Sequence, residues 1–178
     1  AYVNAHINLC TNYIAQGRLD EAEAECFEAL KYDPDSNKAR SNLLFLMNYS
    51  GHHSAEYRLQ QAREFDRVVT KKVEHAFATW QSTPDKKRLR IGLMSGDLRQ
   101  HPVAYFLENW VKNVDFSKFE LYAYLTDTRE DMFTGRIKPN FSYWKSLVGI
   151  TDQAAAEMIH DDGVDILFDL SGHTSGNR

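Results

Sequence analysis

Hydrophobic positions along the chain change their period near the middle. Up to about residue 80 the apolar residues recur every three or four places, the spacing of one helix face. Leu9, Cys10 and Tyr13 mark a first helix. Gly17 breaks it, and Ala22, Cys26, Ala29 and Leu30 mark a second, which closes at Pro34. SNKARSNLLFLMNY, residues 36–49, offers a third helix with Ser36 as its N-cap. A fourth spans about 54–80, with Leu59, Ala62, Phe65, Val69, Val73 and Phe77 on one stripe. That stripe is expected to be buried against the domain that follows.

From residue 88 short apolar runs alternate with helical patterns. Strands are expected in RLRIGLMSG (88–96, core 91–94), FELYAYLTD (119–127), WKSLVG (144–149) and VDILFDLSG (164–172). Between them fall a helix over 102–113, with Val103, Phe106, Leu107, Trp110 and Val111 facing inward, a helix over about 130–141, and DQAAAEMIHDD, which Thr151 can cap. Strands that alternate with helices pair in parallel through right-handed crossovers. The expected fold class is therefore α followed by α/β: helical repeats over 1–50, a linking helix and linker over 51–87, and a Rossmann-like parallel lobe over 88–178.

Composition narrows the function classes. The 178 residues are 43% hydrophobic and 26% charged, ordinary globular usage that can bury a core. A net charge of -4 lacks the basic footprint of a nucleic-acid binder. No apolar run reaches the roughly 18 residues of a membrane helix, and no signal-peptide pattern is present; the expectation is a cytoplasmic protein with no nucleic-acid or membrane partner. The chain opens on Ala1 rather than Met, which reads as a processed protein or a piece of one. Two cysteines make neither a disulfide framework nor a metal-ligand set. Cys10 and Cys26 are read as small packing residues between two helices.

Candidate chemistry follows from the topology. Ligands of such sheets bind beyond the carboxyl ends of the strands, so three loops, 95–101, 126–129 and 171–178, should meet. The first is SGDLRQHP. Proline is favoured at the first helical position, which makes His101 the N-cap of the helix that Pro102 opens. A charged imidazole is disfavoured beside the positive end of a helix. His101 is thus expected to be neutral, able to accept a proton or a hydrogen bond, although capping alone would account for the same placement. Ser95, Asp97 and Arg99 share that loop. In GHTSGNR, Gly172 and Gly176 let the backbone approach a ligand with free N–H groups, while His173, Thr174, Ser175 and Asn177 add donors and acceptors. An ordinary strand-to-helix turn has the same composition. Neither GxGxxG nor GxxxxGK[ST] occurs, so a nicotinamide or ATP cofactor is not indicated. His52 and His53 lack a third ligand and are read as solvated rather than metal-binding. Asp169, nearer the carboxyl end of its strand than Asp165, is the better site candidate. Glu157, His160, Asp161 and Asp162 precede that strand, at the wrong end of the sheet for direct chemistry.

Two resemblances add to this. Residues 1–34 resemble a tetratricopeptide repeat, with His6 where that pattern has Trp, Cys10 where it has Gly and Cys26 where it has an aromatic residue. The motifs RLRIGxxSGDxRxHPVxYFLE and DGVDILxDLSGHTSGNR resemble the O-linked N-acetylglucosamine transferases, and more closely their bacterial and plant SPINDLY-like relatives. The resemblance implies a two-lobed GT-B glycosyltransferase, inverting and metal-independent, that moves a sugar from a nucleotide donor to Ser or Thr of proteins. The donor would be UDP-GlcNAc, with a fucose donor as the other candidate; no cofactor is implied. His101 falls on the family's cleft histidine, viewed as a general base or a substrate-positioning residue. Ser95, Asp97, Pro102, Gly172, His173, Thr174 and Asn177 would bind substrate. Some mechanisms of that family invoke the acidic segment that falls on 157–162. The resemblance covers the amino-terminal lobe alone, so the chain is expected to be a fragment. It would need the carboxyl-terminal lobe in cis for activity and would meet acceptor proteins through its repeats. The alternative is a repeat adaptor with an inactive transferase-like domain.

Overall fold

The computed structural model describes residues 2–73, 75–79, 86–174 and 177. It forms two units, residues 1–74 and 75–178, and the divide falls inside the segment read as a linker. The first unit is α1 (Tyr2–Ala15), α2 (Leu19–Tyr32), α3 (Asn37–Met47) and α4 (Ala55–Thr70). Gly17, at φ 72°, ends α1 in a left-handed turn that only glycine adopts without strain. Cys10, Ala22, Cys26, Leu43, Leu46 and Met47 form a buried core, with Tyr13, Ile14, Phe27, Leu30 and Tyr57 packed around it. The small residues at 10, 22 and 26 let α1 and α2 approach closely. The cysteines go beyond packing: Cys10 and Cys26 are joined as a disulfide, with Cα atoms 5.8 Å apart.

Ser54 caps α4, accepting a hydrogen bond from the Tyr57 N–H at 3.2 Å. The helix ends at Thr70 rather than at 80. Val68, Val69 and Thr70 are β-branched in succession, a run with low helix propensity, and among the described side chains of α4 only Val68 is buried. The expected stripe is therefore interrupted. Phe77 belongs to the second unit, where it stacks on the His160 ring at 4.2 Å.

The second unit runs β1 (Leu89–Ser95), α5 (Pro102–Asn113), β2 (Phe119–Leu125), α6 (Met132–Ile137) with a 3-10 turn after it, β3 (Tyr143–Ser146), α7 (Asp152–Asp161) and β4 (Ile166–Asp169). All strand pairs are parallel, in the order β3-β2-β1-β4. The chain proceeds from β1 outward through β2 to β3, then returns to the other side of β1. The reversal places a topological switch point at the carboxyl end of β1. Alternate residues of β1 and β2 face opposite layers. Ile91, Leu93 and Leu121 pack with Val111 of α5, and Ala123 and Leu125 with Ala104 of α5 and Phe133 and Ile137 of α6. On the other face Tyr122 and Tyr124 meet Ala155 of α7, Leu147 and Val164. Gly92 is required there: a Cβ would lie 2.9 Å from Leu167 Cδ1 and 3.1 Å from both Tyr124 Cε2 and Val164 Cγ1.

The expected inward face of α5 was rotated. Ala104 and Val111 are buried and Leu107 joins both cores, whereas Phe106 is 85% exposed and Trp110 40%. At 100° per residue Phe106 lies almost opposite the line from Ala104 through Leu107 to Val111. The edge strand β4 is also open, with Ile166, Leu167 and Phe168 exposed.

A polar knot fastens α7 to the sheet. The fully buried Tyr124 donates its hydroxyl to Asp162 Oδ2 at 2.7 Å, and Lys145 Nζ reaches both Asp162 oxygens at 2.6 and 2.8 Å. Burial, and then the Asp162 carboxylate, push the Tyr124 phenol far above its ordinary value. Removing the shared acceptor strands two donors, whereas removing the hydroxyl strands none. Asp162→Ala is expected to lower the unfolding free energy by about 2–3 kcal/mol and Tyr124→Phe by about 1–2 kcal/mol. Urea denaturation of the chain checks the order.

Candidate functional site

β1 and β2 end at one level. Ser95 pairs with Leu125, and the ladder continues one step further as Thr126 N–H donates to Ser95 O at 3.2 Å. On the other side Leu170 N–H donates to Met94 O at 3.0 Å. Beyond these bonds each strand opens into a loop. Ser95 is wholly buried and its Oγ accepts from the Asp97 N–H at 3.0 Å, which bends the chain sharply at Gly96. Glycine fits here because a Cβ would stand 3.0 Å from Thr126 Oγ1.

The two loops carry the same short device. Asp97 holds Arg99 across one residue, Oδ1 to a terminal guanidinium nitrogen at 3.1 Å. Asp127 holds Arg129 across one residue through the Arg129 backbone N–H at 3.0 Å, Nε at 2.7 Å and a terminal nitrogen. Among the described residues, a cavity of about 260 Å³ is lined by Gly96, Asp97, Arg99, His101, Thr126, Asp127, Arg129 and Thr174. None of these has an aliphatic or aromatic hydrocarbon side chain. Such a wall offers directional hydrogen bonds and suits a hydroxyl-rich or amide-rich ligand. Two buried polar atoms, Arg99 Nε and Thr126 Oγ1, have no partner among the described residues.

His101 occupies the N-cap of α5, with φ -152° and ψ 150°, and its Nδ1 accepts from the Val103 N–H at 3.4 Å. Asp97 Oδ2 stands 3.7 Å from the same nitrogen. The loop that carries this ring is tethered from behind. Leu98 is buried, its carbonyl accepts from Thr134 Oγ1 at 2.9 Å, and Gln100 N–H donates to Asp131 Oδ2 at 2.7 Å. Asp131 Oδ1 also caps α6 through the N–H groups of Phe133 and Thr134. One carboxylate thus joins the start of α6 to the loop before α5.

Of the residues singled out in the sequence, Asp97, Arg99, His101 and Thr174 line the cavity. Ser95 lies beneath it as the support of the turn, and Pro102 is exposed at the start of α5. Gly172 does adopt a left-handed φ of 54°, yet its N–H is not free: it points to the Asp169 carboxylate at 3.2 and 3.3 Å. Asp169 also accepts from Ser171 N–H at 2.8 Å, so it organises the turn. Asn177 Nδ2 donates to Gly172 O at 2.7 Å. His173 is partly buried; that burial lowers its pKa, against the opposing charge of Asp169. Ser175, Gly176 and Arg178 lie outside the described residues.

The groups around 157–162 are engaged elsewhere. Glu157 accepts from Gln153, His160 Nε2 meets Thr79 O at 2.8 Å, and Asp162 is held by Tyr124 and Lys145. His53, expected to be solvated, pairs with Glu23 at 2.9 Å. Sequence reasoning places the loop 126–129 at the site but gives Thr126, Asp127 and Arg129 no individual role. Their signal was a repetition: D-x-R follows β1 and again follows β2.

Residues 48–178 match the model of glycosyl transferase family 41. The chain belongs to that family. It is 30% identical over 153 residues to the SPINDLY protein of Arabidopsis thaliana, named a probable UDP-N-acetylglucosamine–peptide N-acetylglucosaminyltransferase, covering 83% of this chain and 17% of that one. A relative from Caenorhabditis elegans, named a UDP-N-acetylglucosamine–peptide N-acetylglucosaminyltransferase, is 28% identical over 143 residues, 71% of this chain and 12% of its own. Among solved structures, a mutant of the O-GlcNAc transferase of Thermobaculum terrenum aligns with 98% of this chain and 34% of its own, at 32% identity and a TM-score of 0.89. The chain spans about a sixth of the length of the SPINDLY relatives it matches. The α and α/β architecture read from its periodicities is the one that matches the Thermobaculum terrenum structure.

The Arg129 guanidinium beside Asp127, and next the Arg129 backbone N–H, hold the Asp127 carboxyl down at about 2. A depressed carboxyl contributes stability that is complete above its unfolded value, near 4, and is lost as pH falls toward 2. Carbon-detected carboxyl titration is expected to place Asp127 near 2 and to show it return toward 4 in Arg129→Ala.

Proposed function

We propose that this chain is part of a protein O-glycosyltransferase that moves N-acetylglucosamine from UDP-GlcNAc to Ser or Thr hydroxyls of proteins. Family membership and the printed names of the relatives support the sugar and the acceptor class. The observation that carries the reading is the polar cavity at the carboxyl ends of β1 and β2, with the His101 ring on its wall. A protein hydroxyl entering there would meet an imidazole, two guanidinium groups and Thr126 within one small space.

In this reading the architecture is the two-lobed GT-B type, and the α/β unit is the lobe that receives the acceptor. A second lobe in cis binds the nucleotide, consistent with the much greater length of the relatives. The acceptor oxygen forms a bond to the anomeric carbon as the bond to the diphosphate oxygen breaks, with inversion. The electron pair leaves with the diphosphate, which also takes the proton of the acceptor hydroxyl, and its remaining charge is met by backbone N–H groups and cationic side chains rather than by a metal. His101 holds the reacting oxygen in place. Helices α1 to α4, read as the end of a tetratricopeptide-type array, present acceptor segments to the lobe.

The test is sugar transfer by the full-length protein, followed by mass spectrometry of acceptor peptides. Loss of one well-placed hydrogen-bonding group at a reacting centre costs roughly 10²–10³ in rate. His101→Ala is expected to reduce transfer by about that much while the folded spectrum stays intact. Near-normal transfer by this variant would remove His101 from the mechanism.

A further inference from the structure

A histidine on a cavity wall can meet a ligand oxygen in two opposite ways, as an N–H donor or as a lone-pair base. The choice belongs to the nitrogen that faces away. In His101 the nitrogen already committed is Nδ1, which accepts from the Val103 N–H at the start of α5 and leaves Nε2 for a ligand. A ring nitrogen that accepts a hydrogen bond carries no proton, so a neutral ring carries its proton on Nε2.

Nδ1 has a second neighbour. Asp97 Oδ2 stands 3.7 Å away, outside hydrogen-bond reach but within a small rotation of it. A carboxylate on Nδ1 favours the opposite tautomer, with Nδ1–H donating to the carboxylate and the Nε2 lone pair turned outward, as in carboxylate–histidine pairs that serve as bases. The geometry here withholds that carboxylate. Arg99 draws Asp97 Oδ1 to itself at 3.1 Å, and the Asp97 N–H is fixed on Ser95 Oγ. On the other loop Arg129 also feels the Asp97 charge, while its own guanidinium is held by Asp127. Arg99 and Arg129 therefore both favour keeping Asp97 off the ring.

We infer that His101 presents an N–H at Nε2 to the cavity, and that Arg99 is the positioning residue that maintains this tautomer by holding Asp97 away from Nδ1. His101 then binds an oxygen of the ligand as a donor and does not take its proton. The inference rests on the transfer reading for the identity of that oxygen, and on the geometry alone for the tautomer.

Long-range proton–nitrogen correlation spectra of the chain labelled at its histidine nitrogens read the tautomer directly. The His101 signals are assigned by their disappearance in His101→Gln. The native chain is expected to show Nε2–H, and Arg99→Gln a shift of population toward Nδ1–H. Arg99→Lys, which can still hold Asp97, is expected to keep the native pattern, and Asp97→Asn combined with Arg99→Gln to restore it. A native chain with Nδ1–H, or an Arg99→Gln chain that is folded and unchanged, overturns the inference. Should Arg99→Gln fail to fold, the native tautomer still decides. In the full-length protein Arg99→Gln is expected to lower kcat about tenfold or more with little change in acceptor KM, and Arg99→Lys to recover most of it. Full-length protein without any sugar transfer would sink the transfer reading and leave the tautomer to the spectra.

Discussion

The parallel register of β1 is the constraint on which the site depends. β1 pairs with β2 on one side and with β4 on the other, and the ladder extends one bond past each pair, at Thr126 and at Leu170. Parallel strands end at the same edge, so the loops that follow must leave together. A one-residue slip would carry Ser95 and Leu125 to opposite faces. The buried alternation of Ile91 and Leu93 on one face, and of Tyr122 and Tyr124 on the other, makes that slip costly.

Loops that only met would be soft. Here each is pinned by polar contacts of its own. Ser95 Oγ, Thr134 Oγ1 and Asp131 hold the first loop, Asp127 binds the backbone of the second, and Asp169 binds two N–H groups of the third. The carboxylates facing the cavity are each matched by a guanidinium from the same loop, so the wall is rich in charge yet close to neutral. The Asp127–Arg129 pair, whose guanidinium is exposed, adds little to stability. The value of such pairs lies in orientation, because a planar guanidinium held by a carboxylate has few remaining rotamers.

Much of this was legible in the sequence because it follows from local rules. Pro102 at the first helical position made His101 a cap, and the alternation of strand and helix put the loops at 95–101, 126–129 and 171–178 on one edge. What escaped was tertiary. Phe106 and Trp110 carry the right spacing for a buried stripe, but Ala104, Leu107 and Val111 win the core because the close approach of α5 to β1 and β2 favours smaller side chains. Gly172 looked free for a ligand, and only the fold shows Asp169 already on its N–H. The paired D-x-R segments are unremarkable one at a time; they become a site only when the register sets them side by side. Periodicity alone overextends the helix after Ser54, because it counts apolar residues and not the β-branched run that ends it.

The central claim is that the cavity between these loops receives the acceptor. Thr174→Cys in the full-length protein places a thiol at an exposed position of its wall, and Ser142→Cys places one at the opposite edge of the sheet as a control. The rate of alkylation by an acceptor peptide with a haloacetamide at its Ser position is the measurement. The account predicts fast labelling at position 174 that unmodified acceptor peptide suppresses, and slow, unsuppressed labelling at 142. Equal rates at the two positions, or no protection by peptide, would contradict it.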